Sequence, residues 1–281
     1  MTRIALVGMP IGNLGDLSPR AVAELEAATV IACEDTRSIR KLLSAAGVRL
    51  RGRRLVVMAE HNEAAAVSQL VGLAAAGEHV AVVTDAGMPG ISDPGEHLVA
   101  AAVEAGIEVD VVPGPSASLA GLVVSGLPTQ RFVFEGFLPR KGSARTERLR
   151  AVVEEPRTVV LYEAPHRLRA TLADLAGACD PGRRVALIRE ITKLHQEIWR
   201  GTLGGAVAHA AAVEPRGEYV VVVEGAPPRA APTETDIENA LAACLATGVT
   251  KKEAISSVAT ELGVSKKTVY AAALRQGQPD S

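Results

Sequence analysis

The chain has 281 residues, of which 48% are hydrophobic and 22% are charged, and its formal net charge is −2. These values are typical of a globular protein with one large or two ordinary domains, and they exclude long-chain disorder, collagen and coiled coil. The near-neutral charge disfavours a protein that coats nucleic acid nonspecifically, so nucleic-acid binding would need local basic patches. Aromatic residues make up only 2% of the chain, too few for a surface that stacks single-stranded bases.

The positions of the cysteines and the length of the apolar runs further limit the class of protein. Cys33, Cys179 and Cys244 are far apart in the sequence, so a disulfide framework or a Cys-x-x-Cys metal site is not expected. The apolar runs are far shorter than the ~20 residues that span a bilayer, and the first residues do not resemble a secretory signal. We therefore expect a cytoplasmic protein with no membrane and no metal.

Short β-branched apolar runs alternate with helical patterns in the first part of the chain. Five strands are predicted at 4–7, 30–33, 55–58, 80–83 and 109–112. Ser18 followed by Pro19 predicts a helix that reaches about residue 28. Further helices are predicted at 63–76 and 94–105, each followed by glycine. This alternation predicts an N-terminal α/β domain at 1–127, with a largely parallel sheet covered on both faces.

The pattern changes after residue 127. Five more strands are predicted at 132–134, 158–162, 185–188, 197–200 and 219–223, with helices at 145–153 and 166–177. Because the later strands follow one another with less helix between them, the second sheet should be mixed. We therefore expect a C-terminal α/β domain at 128–225.

A proline-rich stretch, A-P-P-R-A-A-P, begins at residue 226 and predicts an extended linker at 226–233. The remainder, 234–281, has only helical patterns. A turn at Gly263 and a cap at Ser265 separate two helices in a helix-turn-helix-like arrangement. The predicted fold is thus two α/β domains with a ligand cleft between them, plus a small all-helical tail.

Ligands of open α/β sheets bind beyond the carboxyl ends of the strands. The residues that follow the predicted strands there are glycines, prolines, carboxylates and one histidine. The first of these loops lacks the spacing of a dinucleotide-binding turn, and no P-loop is present. Each acid or base has an alternative structural role: Asp35 can pair with Arg37, His61 can belong to a helix cap, and Asp85 can bind amides of its own loop.

Three segments carry a family resemblance: P-I-G-N-L-G-D at 10–16, D-A-G-M-P-G-I-S-D-P-G at 85–95 and P-G-P-S-A at 113–117. They resemble the tetrapyrrole-methylase-like, or class III, S-adenosylmethionine methyltransferases. E-D-T-R at 34–37, H-N-E at 61–63, F-E-G-F-L-P at 134–139, Y-E-A-P-H-R at 162–167 and R-E-I-T-K at 189–193 are similar to one branch of that superfamily. That branch contains the ribosomal small-subunit RNA cytidine 2′-O-ribose methyltransferases.

The resemblance covers about residues 3–225, and the tail is also similar to that of the family. It departs from the family at Met9 and Met88, where members more often carry threonine, so a hydroxyl beside the cofactor is lost at each position. The resemblance implies S-adenosylmethionine as cofactor, 16S ribosomal RNA or the 30S particle as partner, and a homodimer.

The resemblance, together with the chemistry of the loops, nominates three groups of residues. The candidates for removing the hydroxyl proton are Glu34, Asp35, His61, Glu63 and Lys193. The implied cofactor-binding residues are Pro10, Asp85, Gly87, Met88, Gly90, Ile91, Ser92, Ser116, Ala117, Tyr162, Glu163, Thr202 and Gly225. The candidate RNA-binding residues are Arg37, Arg140, Lys141, Arg145 and Arg167.

Other interpretations remain open at this stage. The basic cluster at 140–150 can be a solvated helix face, and we prefer that interpretation for Arg53 and Arg54. The lysines of the tail can contact a nucleic-acid groove or a partner subunit. The same fold can methylate a tetrapyrrole or, like the diphthamide enzymes, a protein. A nucleic-acid-binding regulator with a ligand-sensing α/β core would also fit.

Overall fold

A computed structural model describes residues 3–49, 52–227 and 232–275. They divide into two compact units, one that ends at Ala226 and one that begins at Pro227. Half of the predicted linker at 226–233, the residues 228–231, lies outside the described residues.

The first unit begins with a parallel sheet, as predicted. Its strands in the described part of the chain are β1 (Arg3–Val7), β2 (Val30–Cys33), β3 (Arg54–Val57), β4 (Val80–Val82) and β5 (Glu108–Val112). They lie in the order β3-β2-β4-β1-β5, and every pair is parallel. All residues of β2 and β4 are buried, which explains why these strands are continuously apolar.

Helices cover both faces of this sheet. They are α1 (Pro19–Ala27), α2 (Thr36–Ala45), α3 (Glu63–Ala75) and α4 (Glu96–Glu104). The Ser18 hydroxyl accepts a hydrogen bond from the Ala21 amide at 3.0 Å, and the Asp35 carboxylate accepts one from the Arg37 amide at 2.7 Å. These caps start α1 and α2, whose apolar residues pack on one face of the sheet, while α3 and α4 pack on the other.

One helix of this half of the chain, α5 (Ala117–Ser125), leaves the first sheet and packs on the second. Leu122 of α5 lies in one apolar cluster with Val160 and Val220 of the second sheet. A Cβ added at Gly121 would lie 2.7 Å from the Val220 side chain, so glycine is needed for this close approach. The structure thus differs from the predicted division at 127, because α5 belongs by packing to the second layer.

The second sheet is mixed, which confirms the prediction. Its strands in the described residues are β6 (Phe132–Phe137), β7 (Thr158–Glu163), β8 (Arg184–Arg189), β9 (Glu197–Thr202) and β10 (Tyr219–Val223). Their order is β6-β7-β10-β8-β9, with β6 and β7 parallel and the other pairs antiparallel. Helices α6 (Ser143–Glu154), α7 (Pro165–Ala178) and α8 (Leu203–Ala212) cover the face opposite α5.

The second unit is helical and has its own apolar core. Its described helices are α9 (Glu234–Ala246), α10 (Lys251–Leu262) and α11 (Lys266–Arg275). Thr233 with Asp236, and Thr250 with Glu253, form reciprocal caps at the starts of α9 and α10. Leu241, Val258 and Val269 are fully buried among the three helices. None of the helices in the described ranges is both long enough and apolar enough to cross a membrane.

Candidate active site

A cavity of about 450 Å³ lies between the carboxyl ends of the first sheet and one end of the second. This volume is within the range of roughly 300–1,000 Å³ that is usual for small-molecule sites. The first sheet contributes the loop after β4 and the start of α5, and the second contributes the ends of β7 and β8 and the start of β10. The predicted cofactor residues in its wall are Gly87, Met88, Ile91, Ser92, Ser116, Ala117, Tyr162 and Glu163.

The loop after β4 is held against the first loop by backbone hydrogen bonds. Met9 and Gly87 exchange two of them, at 2.8 and 3.2 Å. Gly87 has φ of +81°, a conformation that costs little only for glycine. Met9 is fully buried, and the Met88 sulfur packs against Gly8, so both methionines make apolar contacts.

Tyr162 joins the two walls of the cavity. Its hydroxyl accepts a hydrogen bond from the Ser118 amide at 3.1 Å, and its ring lies 5.0 Å and 5.6 Å from the rings of Phe134 and Phe137. This contact keeps the N-terminus of α5, with Ser116 and Ala117, on the cavity. The positive end of a helix dipole at that point favours a ligand carboxylate.

The side of the cavity formed by the first sheet and its loops is called the first wall here, and the side formed by the second sheet is the second wall. The acids of the second wall have cationic partners. The Lys193 ammonium lies 2.9 Å from the Glu190 carboxylate and 2.7 Å from that of Glu218. Burial opposes the charge of Lys193, but the hydrogen bonds to Glu218 and Glu190 outweigh it and raise the pKa of the lysine. The structure therefore argues against Lys193 as a proton acceptor, because its ammonium is held in the charged form.

The Glu163 carboxylate is buried, and both of its oxygens have polar partners. The carboxylate accepts hydrogen bonds from the Thr171 hydroxyl at 2.5 Å and the Ala164 amide at 2.9 Å, and lies 3.4 Å from the Arg167 guanidinium. Arg167 also donates to the Leu138 carbonyl at 2.5 Å. Arg167 thus has an internal role that its prediction as an RNA contact did not include.

Arg145 is likewise turned inward. It donates to the Asp174 carboxylate at 2.6 Å and to the Thr171 hydroxyl at 3.1 Å, and its side chain is only 12% exposed. Its predicted contact with phosphate conflicts with these bonds, since the guanidinium would have to break them first. Arg37, Arg140 and Lys141 are exposed, so these three predicted RNA contacts remain accessible.

The predicted bases on the first sheet occupy different positions. Asp35 caps α2, and hydrogen bonds from Arg37 lower the pKa of its carboxyl, which indicates the structural role. His61 is exposed in a single turn, and Glu63 accepts a hydrogen bond from the Gly95 amide at 3.0 Å. Glu34 accepts a hydrogen bond from the buried Thr84 hydroxyl. All four side chains lie beside or behind the cavity wall, not in it.

Two further predicted cofactor residues lie at the far end of the second sheet. Thr202 pairs with Arg184 at the start of β8 and caps α8, while Gly225 packs against the Pro156 carbonyl. Both lie outside the cavity, because β9 and β10 run antiparallel to β8 and carry their last residues away from it. Pro10, Asp85 and Gly90 adjoin the wall without lining it.

Residue patterns missed several side chains of the wall: Asp93, Phe137, His166, Glu190, Glu218 and Tyr219. Asp93 and Glu190 stand inside recognised motifs, which was the available signal. Burial and the negative charge of Glu34 raise the pKa of Asp93 to about 6. Burial, and then Glu34, also raise the pKa of Asp85. Among the residues that the structure describes, no cluster of three His, Cys, Asp or Glu side chains is arranged to hold a metal ion.

Comparison with known proteins adds independent findings. Residues 3–207 match the family described as "Tetrapyrrole (Corrin/Porphyrin) Methylases". The "Ribosomal RNA small subunit methyltransferase I" of Synechocystis sp. is 43% identical over 267 residues, 94% of this chain and 95% of that protein. The Thermotoga maritima protein of the same name is 42% identical over 225 residues, 80% of this chain and 99% of that protein.

A solved structure titled as the methyltransferase CobJ superposes with a TM-score of 0.62 at 24% identity, covering 80% of this chain and 94% of that one. At this identity the likeness shows the fold alone. It agrees with the two-sheet architecture of this chain.

Proposed function

The chain belongs to the tetrapyrrole methylase family, and from this premise we propose that it transfers a methyl group from S-adenosylmethionine to a ribose 2′-hydroxyl of a cytidine in 16S ribosomal RNA. The observation that carries the proposal is the extent of the likeness to a named small-subunit ribosomal RNA methyltransferase. At 43% identity it runs through 94% of the chain, so it includes both α/β layers and reaches into the helical tail.

The cavity suits S-adenosylmethionine in three respects. The N-terminus of α5, at Ser116 and Ala117, favours the methionine carboxylate. The carboxylates of the second sheet that line the wall, Glu190 and Glu218, suit the amino group of the ligand. The Gly87 backbone allows close approach. When bound, S-adenosylmethionine supplies a methyl group on a sulfonium centre.

In the reaction, the protein aligns the reacting atoms and removes the proton of the acceptor hydroxyl. Displacement at a methyl carbon needs the attacking oxygen opposite the departing sulfur at near-attack distance. Tyr162 joins the two walls through Ser118, and this contact connects the two sides of the cavity in which donor and acceptor must align. A group in the wall must also take the hydroxyl proton.

RNA would approach along the exposed basic residues that border the cavity. Arg140 and Lys141 follow Phe137 of the wall within four residues, and Arg37 follows the carboxyl end of β2. We assign phosphate contacts to these three residues. The lysines of the tail, such as Lys251 and Lys266, would add electrostatic attraction for the 30S particle. The Thermotoga maritima relative leaves about a fifth of this chain unmatched, about the share of the tail, so we expect the tail to assist docking and not chemistry.

We further propose that the enzyme is a cytoplasmic homodimer. Leu119 and Val123, one turn apart on α5, are 50% and 72% exposed, and Val111 of the edge strand β5 is 46% exposed. Apolar side chains grouped at the surface commonly mark a subunit contact. Sedimentation of the protein with Val123→Asp should shift to the monomer; an unchanged dimer would remove this face from the contact.

The test of the activity uses labelled S-adenosylmethionine with three acceptors: naked 16S RNA, isolated small subunits and total protein. We expect label in RNA, and 2′-O-methylcytidine after digestion to nucleosides. Label on a base, in protein or in a tetrapyrrole would instead favour another acceptor for the same fold. Retention of S-adenosylmethionine without transfer to any acceptor would favour a ligand-sensing regulator.

A further inference from the structure

Asp93 is the acid of the first wall that lines the cavity. It stands between Ser92, whose φ is +63°, and Pro94, which restricts the backbone of the residue before it. The next residue, Gly95, donates its amide hydrogen to Glu63 at 3.0 Å. The backbone is therefore constrained on both sides of Asp93.

Behind Asp93 lies a buried hydroxyl that serves two carboxylates. Thr84, at the end of β4, is 3% exposed, and its hydroxyl donates a hydrogen bond to Glu34, at the end of β2. The same hydroxyl acts to lower the pKa of Asp93. A hydroxyl has one proton, so it can donate to only one of the two acids at a time.

The charges around Asp93 make it a competent proton acceptor near neutral pH. Burial raises its pKa most, Glu34 and Asp85 add negative charge from the ends of two strands, and the Thr84 hydrogen bond acts in the opposite direction. The outcome is a pKa of about 6. A base with such a value is largely deprotonated at pH 7 and still accepts a proton readily.

Other groups of the wall are less suited to this task. Lys193 is held charged between two carboxylates. Burial acts against the charge of Glu190, but the Lys193 hydrogen bond and the Glu218 amide outweigh it and lower the pKa of that acid. Glu163 is enclosed by Thr171, Ala164 and Arg167. His166 is the rival, since it lines the opposite wall and is exposed.

We propose that the Asp93 carboxylate removes the proton from the acceptor hydroxyl, with Thr84 and Glu34 as positioning residues behind it. This inference rests on the proposed function. The hydroxyl oxygen forms a bond to the methyl carbon as its O–H bond breaks and the proton passes to Asp93. The bond between carbon and sulfur breaks, and its electron pair stays on sulfur, which becomes a neutral thioether. Asp93 then releases the proton to solvent.

The experiment compares full-length wild type with Asp93→Asn, and with Glu96→Gln as the matched control. Glu96 is an exposed carboxylate three residues along the chain, in the first turn of α4. For each protein, calorimetry gives the S-adenosylmethionine affinity, and single-turnover assays give the methyl-transfer rate between pH 5 and 8. The rate is followed on whichever product the wild type makes, so an unexpected acceptor overturns the proposed function but not the role of Asp93.

We expect the wild-type rate to rise with pH and to level off above about pH 6. Asp93→Asn should bind S-adenosylmethionine as wild type does, lose at least about 100-fold in rate at pH 7 and lose the rise with pH. Glu96→Gln should match wild type. Thr84→Val should move the rise to higher pH, because the hydrogen bond that lowers the Asp93 pKa is gone, and Thr84→Ser should restore it.

Four results would overturn the proposal. The first is an Asp93→Asn enzyme within a few-fold of the wild-type rate with the same pH profile. The second is a loss of S-adenosylmethionine affinity that accounts for the whole defect, which would make Asp93 a binding residue. The third is a pH dependence of the methyl-transfer rate that comes from His166 and therefore disappears in His166→Gln. The last is a wild type that methylates no acceptor, which would refute the proposed function as well.

Discussion

The acids of the two cavity walls differ in their electrostatic surroundings, and their pKa values are shifted in opposite directions. On the second sheet, Glu163 lies beside Arg167, and Glu190 and Glu218 share Lys193. On the first sheet, within the described residues, neither Asp85 nor Asp93 has a lysine or arginine within ion-pair distance. Accordingly the pKa of Glu190 is lowered, through the hydrogen bond from Lys193 acting against burial, whereas burial and neighbouring acids raise those of Asp85 and Asp93.

This difference separates two uses of an acid. A paired carboxylate keeps its charge, holds backbone and side chains in place, and suits the binding of a cationic ligand. An unpaired, partly buried carboxylate gains and loses a proton near neutral pH and suits proton transfer. We therefore expect the second wall to dominate stability and the first to dominate chemistry.

The largest effect should come from breaking the buried pair of the second wall. Arg167→Met leaves the Glu163 carboxylate buried without its cation and should reduce the free energy of unfolding by about 3 kcal/mol. Arg169→Met is the control, since its pair with Glu214 is half exposed and should contribute at most about 1 kcal/mol. Urea denaturation measures both. Equal losses would mean that burial does not distinguish the two pairs.

On the first wall, the affinity for S-adenosylmethionine should depend on the backbone next to the ligand and not on the charge of Asp93. Gly87→Val forces a β-branched residue into φ of +81° and puts a side chain at the cavity wall, so S-adenosylmethionine affinity should fall at least about tenfold. Gly77→Val, at φ of +98° with no atom within 4 Å, applies the same backbone strain far from the cavity. If calorimetry finds equal affinity losses, strain and not contact with the ligand is responsible.

The basic residues beside each wall allow a test of which side holds RNA. Arg140→Gln with Lys141→Gln, beside the second wall, should weaken RNA binding and reduce the salt slope by about 0.7–0.9 for each phosphate that the variant no longer neutralises. Arg37→Gln, beside the first wall, should likewise weaken RNA binding and reduce the salt slope. Arg157→Gln with Arg184→Gln removes two charges at the far end of the second sheet and should leave the slope unchanged. Similar slopes for all variants would show that net charge alone attracts the RNA.

The smallest predicted effect is on stability, where neutralising an acid of the first wall and an acid of the second wall should have opposite signs. The folded-state pKa of Asp93 is raised from 3.8 to about 6, so its ionisation makes stability fall as pH rises through that interval. Two pKa units are worth about 3 kcal/mol, and solvent screening of this partly exposed group reduces the value to about 1 kcal/mol. Asp93→Asn should therefore be more stable than wild type at pH 7 by about 1 kcal/mol.

Glu190→Gln should have the opposite sign. Its lowered pKa contributes stability above the ordinary carboxyl range, and the substitution removes one partner of Lys193 while Glu218 remains. The loss at pH 7 should be at most about 1 kcal/mol. Thermal unfolding of both variants at pH 4 and 7 checks the comparison, and two changes of the same sign would contradict it.

The extent of what was predictable is clearest at particular elements. The strands of the first sheet were predicted within two residues, because buried parallel strands are continuous β-branched runs. The two α/β layers and the helical tail were predicted as well. Short motifs identified most of the wall, since glycines and polar residues follow strand ends. Thr202 and Gly225 were misplaced because strand direction in a mixed sheet cannot be deduced from the strands alone.

The sequence by itself determined the periodic features of this protein: two runs of strands, the capped helices, the tail and the family motifs. These depend on residues near one another in the chain, whose burial and caps leave a local pattern. Only the tertiary structure decided that α5 crosses to the second sheet, that Arg145 and Arg167 turn inward, and that Asp93 lies in the cavity wall in front of Thr84 and Glu34. Those facts depend on side chains 9 to 98 positions apart, from Thr84 and Asp93 to Leu122 and Val220. The pKa of an acid is set by such neighbours and by burial, which no local pattern records.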